Sequence, residues 1–163
     1  MKRLLLTGAL VLSMFLITGF AFAEEKFAYV DLSEVFQQYK KTKEYDKILE
    51  GKQKAYEEQR EKKVDEVKKL QEKISLLSEE EKEGQKTNLE ETITALQEFD
   101  RSSTQDLRKQ RDEKVKEIFQ DIDKAVETYA KKEGITLVFD RRALVLDNAK
   151  LDITEQILKI INK

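Results

Sequence analysis

Residues 77–84 read LSEEEKEG, and the way this octapeptide is taken decides the fold. Ser78 and Glu81 have the Ser-x-x-Glu spacing of a capping box, in which two side chains satisfy the free N–H groups that open a helix. Gly84 follows shortly. A helix starting here turns the chain back on the segment before it and makes an antiparallel hairpin. One unbroken helix through Gly84 is the competing reading.

Working outward, both flanks carry one narrow apolar stripe. Before the reversal it runs through Tyr45, Leu49, Tyr56, Val64, Val67, Leu70, Ile74 and Leu77. After it come Leu89, Ile93, Leu96, Leu107, Val115, Ile118, Ile122, Val126 and Tyr129. Spacings of three, four and seven place each set on one side of a helix. So thin a stripe suits one partner helix rather than a broad core. The return helix closes at Lys131-Lys132-Glu133-Gly134, with cations at the negative end of the dipole and glycine for a left-handed cap. Glycine is read as marking the joints at Gly51, Gly84 and Gly134. Arms of about 35–50 residues at ~1.5 Å each are about 50–75 Å long.

The two ends read differently. Lys26-Phe27-Ala28-Tyr29-Val30-Asp31 is a strand with Phe27 and Tyr29 on one face, and Asp31 with Glu34 forms a second capping box. Leu32, Val35, Phe36 and Tyr39 keep helical spacing, and Thr42 could cap a further helical segment. Ile135-Thr136-Leu137-Val138-Phe139-Asp140 alternates as a strand. Arg141-Arg142 turns into a third strand over Ala143-Leu144-Val145-Leu146. Asp152 and Glu155 form a last capping box ahead of Ile153, Ile157, Ile160 and Ile161. The fold class is α+β: a small β body built from both chain ends, with a long helical hairpin projecting from it. The divisions are a leader over 1–23, a body over 24–41 and 134–163, and a helical hairpin over 42–133.

Composition excludes much chemistry. The 163 residues contain no Cys, His, Pro or Trp, so no Cys–His or Ser–His nucleophile pair, imidazole or thiolate metal site, or disulfide can be built. Charged residues make up 39%, against ~25% in an ordinary domain, and the absence of proline suits long helices. Carboxylate pairs such as Asp121 and Asp123 are expected by chance in helices this acidic. The chain is read as non-enzymatic, with no catalytic residues, cofactor or metal. The balance of 31 basic against 33 acidic groups argues against nucleic acid as a partner.

Lys2 and Arg3 precede an uncharged run from Leu4 to Phe22 that ends in Ala21-Phe22-Ala23. This is the pattern of an export signal cleaved after Ala23, and a retained membrane anchor is the alternative. Cleavage leaves 140 residues with 29 basic and 33 acidic groups, net −4. The expected compartment is the periplasm. It holds no ATP, so work there runs on binding free energy.

A body of roughly 50 residues buries too little surface to be comfortable alone, and its strands leave apolar edges open. Self-association answers both needs, and a monomer whose hairpin base covers the sheet is the alternative. Mid-arm, residues 100–114 have Leu107 as their only large apolar side chain, and residues 57–63 have none. A stretch so thinly packed opens at low cost. Leu76 and Phe99 break the stripe and are candidate apolar contacts for a client.

Two segments, FAYVDLSEVFQQYKKTKEYDKILE over 27–50 and EGITLVFDRRALVLDNAKLDITEQILKIINK over 133–163, resemble the opening and closing parts of the Skp (OmpH-like) family of periplasmic chaperones. Leu151-Asp152-Ile153-Thr154 is the most recognisable piece. The resemblance implies a trimer with a β body and three helical tentacles around a central cavity. It implies a holdase that binds unfolded outer-membrane proteins without ATP, with transient contact to a membrane surface allowed. By position, Phe27, Tyr29, Ile135, Leu137, Phe139, Leu144 and Leu146 would build the oligomerisation body. The best-known members are strongly basic, whereas this mature chain is net −4, so no lipopolysaccharide site is carried over. A structural coiled-coil spacer or adaptor with a folded partner is the second functional reading.

Overall fold

The computed structural model describes residues 25–163; the export signal and its cleavage after Ala23 lie outside the described residues. Strand β1 (Lys26–Val30) leads into α1 (Leu32–Gln38), α2 (Lys40–Ser75) and α3 (Glu79–Glu133). Strand β2 (Ile135–Asp140), two single 3-10 turns (Arg141–Ala143 and Ala149–Leu151) and α4 (Thr154–Ile161) complete the order.

The long helices form a hairpin. Glu81 Oε2 accepts from the Ser78 N–H at 3.0 Å and from its hydroxyl at 2.6 Å, so the reversal occupies residues 76–78. At ~1.5 Å per residue the 36-residue α2 and the 55-residue α3 are about 55 and 80 Å long. They run antiparallel: Lys41 meets Glu117, Lys52 meets Gln110, and Tyr56 meets Asp100. Gly51 and Gly84 lie inside helices rather than at joints. Gly134 alone of the three adopts a left-handed conformation, φ 66° and ψ 33°, and caps α3.

Because the hairpin leaves the body and returns to it, β1 and β2 pair in parallel, Tyr29 opposite Phe139 and Phe27 opposite Leu137. The extra length of α3 supplies the floor of the body. Ile118, Ile122 and Ala125 pack with Ala28 and Val30 of β1, Val35 of α1, and Ile153 and Ile157 beside and within α4. The core thus joins both chain ends to the hairpin base.

Several local expectations are corrected. Residues 143–146 form no strand: the Asp140 carboxylate accepts from the Arg142 N–H at 2.9 Å and grips its guanidinium at 2.6 Å. That closes a 3-10 turn and steers the chain away from the β2 ladder. The break before α2 falls at Tyr39, and Thr42 is buried in the first turn rather than capping it. At α4, Asp152 Oδ1 accepts from the Thr154 N–H at 2.9 Å, and Glu155 takes no part in capping.

Candidate functional site: a bare sheet face and a polar arm

Alternation along β1 gives the sheet two unlike faces. Ala28 and Val30 point into the core, and Val138 of β2 packs on the same side. Phe27, Tyr29, Leu137 and Phe139 take the opposite face. The Phe27 and Phe139 rings lie 6.5 Å apart, tilted by 42°, yet both remain over two-fifths exposed, and Leu137 is 51% exposed. Tyr29 is buried beside Arg141, Asp147 and Asp152; its burial first, then those carboxylates, raises its phenol above the ordinary value. Among the described residues β2 pairs only with β1, so its outer edge carries unpaired backbone groups beside an uncovered apolar face.

The seven residues assigned to the oligomerisation body are therefore divided. Phe27, Tyr29, Leu137 and Phe139 share the outer face. Ile135 packs on the core instead, because an irregularity between Lys26 and Phe27 shifts the register at that end. Leu144 is half-buried, and Leu146 is 88% exposed on the connection. Sequence reasoning missed a second aromatic pair, Phe36 with Phe119, stacked at 5.3 Å at the hairpin base. Phe119 lies beside the α3 stripe, and its adjacency to Ile118 was the only signal.

The arm is held by polar contacts where apolar ones run out. Asp100 accepts from Tyr56 Oη at 3.1 Å and from Arg60 Nε at 3.2 Å, and Lys52 bonds Gln110. Phe99 lies in this seam, half-buried, with its ring on Tyr56 at 5.7 Å and the Lys63 ammonium 5.4 Å from its centroid. The seam is incompletely filled. A cleft of about 300 Å³ lies between Ala55, Tyr56, Phe99, Ser103 and Leu107, and another of about 290 Å³ between Lys63, Asn88, Thr92 and Leu96. Leu76, in the reversal at the arm tip, is 87% exposed.

At the arm root the Lys41 ammonium bridges Glu117 at 2.5 Å and Asp121 at 2.7 Å, and Lys114 holds the other Glu117 oxygen at 2.6 Å. Hydrogen bonds from Lys114 and then Lys41 lower the Glu117 carboxyl to about 2, while Asp121 first and then Glu117 raise Lys41. Among the described residues no acidic cluster is arranged to hold a metal, and no helix is long and apolar enough to cross a membrane.

This frame, strands from both chain ends around a projecting hairpin, is matched along nearly the whole described chain by the family model for outer membrane protein (OmpH-like), over residues 26–161. The chain belongs to the OmpH-like family. Its fold is similar to the crystal structure of a candidate outer membrane chaperone (OmpH-like) from Caulobacter crescentus. The TM-score is 0.77, over 86% of this chain and 85% of that one, at 12% sequence identity. Comparison with curated proteins found no significant sequence match. At that identity the likeness speaks for the OmpH-like fold, strands and hairpin together, and leaves individual side chains free to differ.

Proposed function

We propose that this protein is an ATP-independent holdase chaperone of the periplasm. It self-associates through its β body, as a trimer, and shields unfolded outer-membrane proteins between its arms. The observation that carries the reading is the division of surface within one OmpH-like chain. The body leaves Phe27, Leu137 and Phe139 bare beside an open strand edge, a surface that copies of the same body would cover. The arms offer shallow, mixed polar and apolar surface along the seam and at the tip, with charges of both signs. Such contacts are individually weak, at about 25 cal/mol per Å² of apolar area. Several arms acting together supply the avidity that holding demands, and release needs no fuel. Body and arm therefore divide the work, residues 24–41 and 134–163 assembling on the base of α3 and the rest of residues 42–133 holding. Leu76 and Phe99 are the proposed client contacts, Phe99 once the seam opens.

Dilution of a urea-unfolded outer-membrane β-barrel protein into buffer tests this. The assembled protein should suppress light scattering at stoichiometric amounts. Deleting residues 53–110 and closing Lys52 to Arg111 with a short glycine-rich loop is sterically reasonable, since Lys52 already touches Gln110. The shortened protein should stay assembled and lose protection. Absence of suppression by the intact protein would remove the holdase and leave a structural spacer. Protection by the shortened one would move binding to the body.

A further inference from the structure

The chain between α1 and α2 is interrupted at one residue: Tyr39, with φ −67° and ψ 127°, is extended. An interruption of this kind strands a carbonyl at the end of one helix and an N–H at the start of the next. Asn162, immediately after α4, serves both. Its Oδ1 accepts from the Lys40 N–H at 2.8 Å, and its Nδ2 donates to the Gln38 carbonyl at 3.2 Å. Its own carbonyl accepts from Lys40 Nζ at 2.7 Å. A side-chain amide, with an acceptor on one branch and donors on the other, is suited to both tasks at once. Helix α2 needs the help. Tyr39 gives it no side-chain cap, and its first turn carries Lys40 and Lys41 with no acidic residue, the wrong sign for that end of the dipole.

The position has a mechanical meaning. The arm is a ribbon of two helices with unlike roots. Helix α3 runs unbroken into the core, where Ile118 and Ile122 are fully buried, whereas α2 meets the body at the Tyr39 break. Bending such a ribbon in its own plane requires one helix to slide past the other at the root. With axes about 10 Å apart, a bend of about 15° needs a slip of about 2–3 Å. A 2.8 Å hydrogen bond from a short side chain does not survive that displacement. The Lys41 ammonium, on a flexible stem before two carboxylates, can follow it.

We propose that Asn162 is the clasp that sets the in-plane angle of the arm: closed, it fixes the root of α2 against α4, and opened, it lets the arm swing. The inference is independent of what the arms hold.

Because the sequence has no cysteine, spin labels can be placed cleanly at Leu76→Cys in the tip and Gln156→Cys on α4, with labelled chains diluted among unlabelled ones. Asn162→Ala should broaden the tip-to-body distance distribution by at least about 2 Å, the slip estimated above. Lys40→Pro provides a second route. Proline is welcome at the first position of a helix after an extended residue, and it removes both Lys40 donors. It should broaden the distribution to the same extent at unchanged helix content. If Asn162→Ala unfolds the body, Lys40→Pro decides. A wild-type distribution in Lys40→Pro, or in a folded Asn162→Ala, overturns the clasp.

Discussion

The backbone N–H of Asp31 donates to Thr154 Oγ1 at 2.9 Å, joining the end of β1 to the start of α4 across 123 positions of sequence. The same hydroxyl donates to Asp152 Oδ1 at 2.5 Å. Asp31 meanwhile caps α1 by accepting from the Glu34 N–H at 2.9 Å. One buried threonine thus ties both chain ends together at the point where the hairpin departs.

Thr154→Val, which keeps the shape and removes the hydroxyl, leaves the Asp31 N–H without its acceptor. It should destabilise the body by about 1–3 kcal/mol, whereas Thr154→Ser should retain most of the stability. Urea unfolding followed by circular dichroism compares the two, and equal midpoints for both variants would contradict the assigned role.

Gly134 carries the only positive φ among the described residues. A Cβ built there meets no atom within 4 Å, so any penalty is one of backbone conformation. Gly134→Ala should cost about 1–2 kcal/mol, with Gly134→Asn costing less because asparagine visits that region more readily. The thermal midpoint reads the order of the three proteins.

The Glu117 carboxyl is lowered from 4.5 to about 2 by its lysine partners. A group whose folded value is depressed adds stability above its unfolded value, and that stability is lost as pH falls. The arm root should therefore loosen progressively between about pH 4.5 and pH 2. Glu117→Gln should remove that part of the pH dependence. The side chain is 42% exposed, so the effect should be modest and should shrink in salt. Amide exchange in the first turns of α2, followed against pH in both proteins, measures it.

Phe99→Ala removes the stack on Tyr56 and the seat of Lys63. An aromatic pair of this geometry adds about 0.5–1.5 kcal/mol beyond its buried area. Mid-arm amides near Tyr56 and Asp100 should exchange roughly 3- to 10-fold faster, with body amides unchanged. Uniform exchange along the arm in both proteins would show that the stack does not anchor the seam.

Phe139→Lys places a charge on the bare sheet face while leaving the core side of β2 untouched. If the body self-associates as proposed, sedimentation should show assemblies of the wild type and single chains of the variant, with the same helix content in both; a wild type that sediments as a single chain would remove the proposed assembly. Unaltered mass in the variant would locate self-association elsewhere, with Phe36 and Phe119 the next surface to test.

Much of this architecture is legible in the sequence. The LSEEEKEG reversal, the paired apolar stripes and the Gly134 stop are local signals, and local signals survive because a cap or a helical period is decided within a few residues. That residues 143–146 form no third strand was not legible. An alternating apolar run reads the same whether or not a partner edge is at hand, and the Asp140 grip on Arg142 turned it aside. Phe99 looked like an outlier because the stripe rule follows ideal periodicity, while the seam accepts an aromatic slightly off it.

The chain by itself determined the long helices, the caps at Asp31, Ser78 and Gly134, the reversal and the exclusion of imidazole and thiolate chemistry, since these follow from residue type and spacing. Tertiary structure alone decided which sheet face is buried, that Ile118 and Ile122 belong to the body, that Asn162 completes helices distant in sequence, and that Thr154 ties the end of β1 to α4. Those outcomes rest on contacts spanning from about thirty to more than a hundred and twenty residues. Their existence depends on the hairpin bringing both ends to one place, and no local pattern encodes that meeting.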